Sequence, residues 1–196
     1  MKNFLLNRSY EMVRMFLNQF ATAIFGVVLA IAAGKAENVV LRNVTSAFAI
    51  LFYLFLLYTM TWELGFKDKA AVDNGRKESA PLTGLWLSLC ANTINFFFAI
   101  FISLASFVNL EALNNFGAFC SAAALLLEGM FTGLLANTVG GAPLNSHWWI
   151  YFLLPIPAMI TCTVSYYFGL KDIKFTSLFD VVYPESDREP KKKDRK

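Results

Sequence analysis

Residues Phe116–Asn137 read FGAFCSAAALLLEGMFTGLLAN, and they decide how many times the chain can cross a membrane. Glu128, near their centre, is the only Asp, Glu, Lys or Arg between Ala112 and Leu170. An ionisable group inside an apolar run is costly to hold in hydrocarbon, so it marks a functional site by default. Glu128-Gly129 also interrupts the run. Its uninterrupted apolar core is therefore shorter than those of the other apolar runs in the chain.

The chain has 196 residues, 57% of them hydrophobic, and a mean hydropathy of +0.50. Charged residues make up 16%, against the roughly 25% of soluble domains. Several uncharged runs of about 20 residues each have the length of membrane-spanning helices. They are continuous rather than alternating, which points to helices and excludes a β-barrel pattern. The expected fold is all-α: a polytopic helical membrane protein with five hydrophobic helical segments. Four are full spans, and Phe116–Asn137 is re-entrant or strongly tilted. The net charge of +3 is no nucleic-acid signal, because the basic residues lie in terminal segments and loops. Cys90, Cys120 and Cys162 fall in separate runs without metal-ligand spacing and read as small packed hydrophobes.

Residues 1–15 mix Lys2, Arg8 and Arg14 with Phe4, Leu5, Leu6 and Tyr10. That is the pattern of a short amphipathic helix at the membrane surface, running into the first span. A secretory signal peptide is the rival reading. The apolar part, 16–33, exceeds the about 7–15 residues of such a core, which favours a retained helix. The first span, 16–34, carries Ala23, Gly26, Ala30 and Gly34 at spacings of three and four, a row that lets another helix approach closely. Asn18 and Gln19, near its start, read as interfacial. The second span, 44–62, ends with Tyr58 and Trp62 at interfacial positions. Residues 63–83 read as a hydrophilic loop of balanced charge, with a turn at Asp73-Asn74-Gly75. The loop is either simply solvated or a docking surface for a cytoplasmic partner or for lipid headgroups. The last span, 148–170, opens on Trp148 and Trp149 and carries Pro155 and Pro157, which predict a kink. Residues 171–196 form a basic tail ending KKKDRK, suited to anionic lipid headgroups.

The distribution of Lys and Arg bears on the crossing count. Five full crossings would divide these residues almost evenly, seven against ten. If Phe116–Asn137 does not cross, the N-terminus, loop 63–83 and the tail share one side with 15 of them. Only Lys35 and Arg42 lie on the other. The positive-inside rule prefers the second arrangement and makes the richer side cytoplasmic. Short loops and small size point to a bacterial plasma membrane.

The third span, 84–107, has a more specific pattern. Ser88, Asn92, Asn95, Ala99, Ser103 and Ser106 share one helical face. Such a stripe is either interhelical hydrogen bonding or the lining of a polar cavity. Around Glu128, Ser121, Ala124 and Thr132 lie on nearly the same helical face, and Gly129 and Gly133 form a GxxxG in a neighbouring small-residue row. Glu128 is then either a structural acid satisfied by Asn92, Asn95, Thr132 or a carbonyl, or a proton- or cation-binding group facing the third-span stripe. No Lys or Arg inside a span is available to pair with it.

Catalytic chemistry is poorly represented. There is one His, His147, beside Trp148, and no G-x-S-x-G or P-loop. No cofactor or metal site is expected. In size, hydropathy and the small-residue row of its first helix the chain resembles the substrate-capture components of vitamin importers, though it has five apolar segments where they have six. Three function classes stay open: a transporter or transporter-associated subunit using Glu128 and the Ser88/Asn92/Asn95 face; a membrane scaffold that contacts other membrane subunits or a second copy of itself; and, last in rank, an intramembrane enzyme.

Overall fold

The computed structural model describes residues 8–108 and 110–173, an all-α bundle apart from one two-stranded hairpin. Residues 1–7 and the tail from 174, with its expected headgroup contacts, lie outside the described residues.

Helix α1 (Ser9–Lys35) runs unbroken for 27 residues. Among the described residues no separate surface helix precedes the first span. Nothing in 9–33 stops a helix, and Met15, 2% exposed, faces the bundle instead of solvent. Asn38 caps the next helix by accepting from the backbone N–H of Leu41 at 3.1 Å. Helix α2 (Val39–Asp73) is 35 residues long, and this corrects the expected loop. Residues 63–73 continue the second span as helix, and only 74–82 connect to the next element. No Pro interrupts them, and Lys67 pairs with Glu63 one turn back at 2.7 Å. The weak point, Gly65, is required, because a Cβ there would lie 2.3 Å from the Tyr166 carbonyl oxygen. Termination comes at Asn74-Gly75, where Gly75 adopts φ +68°.

The third apolar run forms two helices, α3 (Thr83–Ala91) and α4 (Thr93–Phe107), bent by 56° at Asn92. The Asn92 side chain donates to the Ser88 carbonyl at 2.9 Å. Such side-chain competition for backbone groups disturbs a helix where it occurs. Helix α5 starts early, at Glu111, and runs to Leu127. An 83° bend at Glu128 then leads into a 3₁₀ turn (Gly129–Phe131) and the short α6 (Thr132–Leu135). Strands β1 (Thr138–Val139) and β2 (Ala142–Pro143) make a hairpin through Gly140-Gly141. Helices α7 (Ile150–Leu153) and α8 (Ile156–Leu170) follow, parted at the expected Pro155.

The most extensive helix pair is α2 with α8. Gly65 and Gly169 let the two backbones approach, and the Thr61 and Ser165 hydroxyls hydrogen-bond between them. At this end Asp68 accepts from Arg8 (2.5 Å), Lys77 (2.8 Å) and Tyr166 (2.6 Å) through one oxygen, and Trp62 donates to the Ile173 carbonyl at 2.7 Å. Residue 8, the 74–82 connection and residue 173 therefore gather at one end of the bundle. At the opposite end Asn137 bonds Arg42 and Asn43, His147 reaches the Val139 carbonyl, and Trp148 packs on Phe107 with ring centroids 5.2 Å apart. Three stretches, Ser9–Lys35, Val39–Asp73 and Ile150–Leu170, are long and apolar enough to cross a membrane. The bent pairs covering 83–107 and 111–135 pass the same test when each is taken whole.

Candidate functional site: a buried carboxylate at the two helix breaks

Glu128 is 3% exposed. It caps the C-terminal end of α5, where its own N–H returns to the Ala124 carbonyl. One carboxylate oxygen, Oε1, accepts from Asn95 Nδ2 at 2.7 Å and from Gln19 Nε2 at 2.9 Å. Asn95 donates its second N–H to Asn92 Oδ1 at 2.9 Å, and Asn92 in turn donates to Ser88. A single hydrogen-bonded chain thus joins α1, both halves of the broken α3–α4 unit and the end of α5. Ser88, Asn92 and Asn95 are 0%, 2% and 5% exposed. Gln19 lies 16 residues before Lys35, so the cluster sits about 24 Å along α1 from that end.

Of the residues singled out in the sequence, Glu128, Asn92, Asn95 and Ser88 come together. Ser103 does not. It lies two turns further along α4 and is only half-buried. Thr132 does not join them either. The bend at Glu128 carries it onto α6, off the face a straight helix would give it, and its buried hydroxyl has no hydrogen-bond partner among the described residues. Ser106 donates to its own helix, to the Ile102 carbonyl.

The small-residue rows act inside the chain and differ from residue to residue. A Cβ on Gly26 would lie 2.3 Å from Met130 Cα, and one on Gly129 2.3 Å from the Ala23 carbonyl oxygen. These two glycines let the 3₁₀ turn lie against α1. Gly133 instead meets α2, where its N–H donates to Ser46. Gly129 and Gly133 therefore do not act as one GxxxG face. Ala30 is half-buried, and a Cβ on Gly34 would have nothing within 4 Å.

Gln19, which reads in the sequence as interfacial, is 2% exposed and holds the carboxylate. A signal existed: Gln19, Ala23, Gly26 and Ala30 follow the same three-and-four spacing, so the row that packs against the 3₁₀ turn begins one step earlier, at Gln19. Asp68 reads in the sequence as one of many loop charges. Its role depends on Arg8 and Tyr166, which are remote in sequence. Burial opposes the charge on Arg8, but the hydrogen bond and charge of Asp68 outweigh it and raise the guanidinium above its ordinary value.

Electrostatically, Glu128 has no ion-pair partner among the described residues. It is faced by neutral amides. The arrangement can stabilise a carboxylate by hydrogen bonding, hold a proton, or hold a cation. Among the described residues no group of three His, Cys, Asp or Glu is placed to hold a metal ion.

The Glu128→Gln variant should keep its stability within about 1 kcal/mol, since the amide oxygen still accepts from Gln19 and Asn95. Glu128→Ala leaves both donors buried and unpaired, at about 1–3 kcal/mol each. Chemical denaturation of the two purified variants checks the difference. Equal stability of Ala and Gln would remove the carboxylate from the hydrogen-bonded chain.

Fold and site together define an all-α bundle of long apolar helices, compatible with integration in a membrane, that closes around a buried carboxylate–amide cluster. No protein-family model matches the chain, and comparisons with curated proteins and with solved structures find no match.

Proposed function

We propose that the chain is a small integral membrane protein of the transport class, a transporter or the membrane subunit of one, with the Glu128 cluster as its polar intramembrane site. The observation that carries this reading is the convergence of Gln19, Asn92, Asn95 and Glu128 at mid-length of the bundle, where two apolar helical units are both broken. Broken helices at membrane depth are tolerated where they line a polar cavity or are covered by protein, and they recur at transport sites. The outward faces support a lipid setting. Ile24, Val28 and Ile31 on α1, and Phe48, Leu51 and Phe55 on α2, are all more than half exposed.

In this reading 111–137 is re-entrant. Asn137 lies by Arg42 and Asn43, and the turn after Phe107 neighbours Trp148, so both ends of the segment belong to the same end of the bundle. Glu128 is its deepest point. The N-terminus, the 74–82 connection and the tail then share the cytoplasmic side of a plasma membrane. A cytoplasmic partner would dock on 74–82, a second copy or other membrane subunits would meet the apolar faces, and no catalytic step is assigned.

Single-cysteine variants test the reading, with Cys90, Cys120 and Cys162 replaced by Ala. A membrane-impermeant maleimide should label Lys35→Cys on intact cells and Ser79→Cys only after permeabilisation. Ser88→Cys, a near-isosteric change at a position that is 0% exposed, should react with a small water-soluble thiosulfonate in the folded protein as the cluster opens to the pathway. Reaction only after unfolding would mean a sealed hydrogen-bonded seam, and the chain would be a scaffold.

A further inference from the structure

We propose that the Glu128 cluster binds one dehydrated monovalent cation of sodium size, held by oxygens of Glu128, Asn95 and Asn92. This rests on the transport reading of the same site and gives it a ligand. Glu128 is buried with two neutral amides as its side-chain donors and no ion-pair partner among the described residues. The negative C-terminal end of α5 meets it, while the positive N-terminal turn of α4 carries Asn95, so the two helix ends offset one another. What remains is the charge of one carboxylate. A buried carboxylate without a counter-charge is costly, and one monovalent cation balances it where a divalent ion would overshoot.

Asn95 is 5% exposed, and its Oδ1 is buried without a hydrogen-bond partner among the described residues. Both of its N–H groups are in use, on Asn92 Oδ1 at 2.9 Å and on Glu128 Oε1 at 2.7 Å. The amide nitrogen therefore sits where two oxygens already converge. A half-turn of this amide brings Oδ1 to the same point and removes the two protons. Three oxygens would then face one another, an arrangement that a cation among them would hold together in place of the amide protons. An all-oxygen set with a carboxylate suits a hard cation and not a soft one.

Helix ends interrupted at depth present carbonyls to cations. The Leu127 carbonyl, at the end of α5, lies at the rim of the cluster and receives a 3.4 Å contact from Gln19 Nε2. A proton on Glu128 would remove the same charge, but it calls for no Asn95 oxygen as a ligand, so the two occupants are separable.

The test uses the purified full chain in mild detergent. Its melting is compared in sodium, potassium and choline chloride at equal ionic strength, and binding of radioactive sodium is counted per chain. Sodium should raise the melting temperature saturably over choline, with one ion bound per chain. Glu128→Gln and Asn95→Leu should each weaken sodium binding by at least about tenfold. Identical melting in sodium and choline, with no bound radioactive sodium, overturns the proposal and leaves a proton as the occupant. Sodium stabilisation that persists in Glu128→Gln overturns it as well. If a variant does not fold, the wild-type stoichiometry still decides. The cysteine experiment separates the two readings: a reactive Ser88→Cys without sodium binding keeps the pathway and sinks the cation, whereas sodium binding with an inert Ser88→Cys does the reverse.

Discussion

Gly26→Ala lowers the unfolding free energy of this protein by about 3 kcal/mol, the upper end of what overpacking costs. The added methyl carbon would lie 2.3 Å from Met130 Cα, 2.6 Å from Met130 N and 2.8 Å from Gly129 C. All three are backbone atoms, so no flexible side chain can swing away. Relief requires the 3₁₀ turn to move off α1. That turn directly follows Glu128, so the hydrogen bond from Gln19 is strained in the same step. The control lies eight residues on. Gly34 has nothing within 4 Å, and Gly34→Ala should be neutral or gain up to about 1 kcal/mol from helix propensity. Denaturant unfolding in detergent, followed by intrinsic fluorescence, measures both. A Gly26→Ala protein as stable as the parent would mean that α1 does not pack on the 3₁₀ turn.

Asp68→Ala has the second large effect, about 3–5 kcal/mol, the cost of removing one partner from a buried ion pair. The Asp68 and Arg8 side chains are 10% and 12% exposed. One carboxylate oxygen receives Arg8, Lys77 and Tyr166, which come from the start of α1, the 74–82 connection and α8. Removing it leaves the Tyr166 hydroxyl buried without its acceptor and the Arg8 charge with only a 3.4 Å contact to Glu11. Asp68→Asn should recover part of the loss, because its carbonyl oxygen still accepts from Tyr166. Glu63→Ala is the matched control. The Glu63–Lys67 pair is 51% and 66% exposed, and such pairs contribute at most about 0.5 kcal/mol. Thermal unfolding of the three variants in one buffer ranks them. An Asp68→Ala melting point equal to that of Glu63→Ala would show that the three-way junction is solvated.

The two regions differ in how far sequence can reach them. Glu128 is visible because it is alone in an apolar run, and Asn92 and Asn95 because a helical face repeats them. Their meeting agrees with chemistry, since a buried carboxylate needs donors and the third run carries two amides on one face. Gln19 is not visible as their companion. A glutamine near a helix start reads as interfacial unless the helix extends further back, and here α1 begins at Ser9. The same effect hides the Asp68 junction. Periodicity locates apolar runs but not how far a helix continues past them, so 63–73 looks like a loop by composition while folding as helix.

By itself the sequence determined the all-α class, the number of apolar segments and the break at Glu128-Gly129, because each follows from local composition, from helical period or from a residue pair that weakens a helix. Only the tertiary structure decided what the small residues are for. Gly26 and Gly34 belong to one row, yet only Gly26 faces another backbone, because the 3₁₀ turn crosses α1 at that level and nothing among the described residues crosses it at the other. It also decided that Phe116–Asn137 turns by 83° at its one carboxylate and that Gln19 and Asn95 supply the donors. A hydrogen bond between residues 109 positions apart in the chain leaves no periodic trace in the sequence. It exists because the folded bundle brings the two side chains to one buried place, where an unpaired carboxylate would otherwise be too costly to keep.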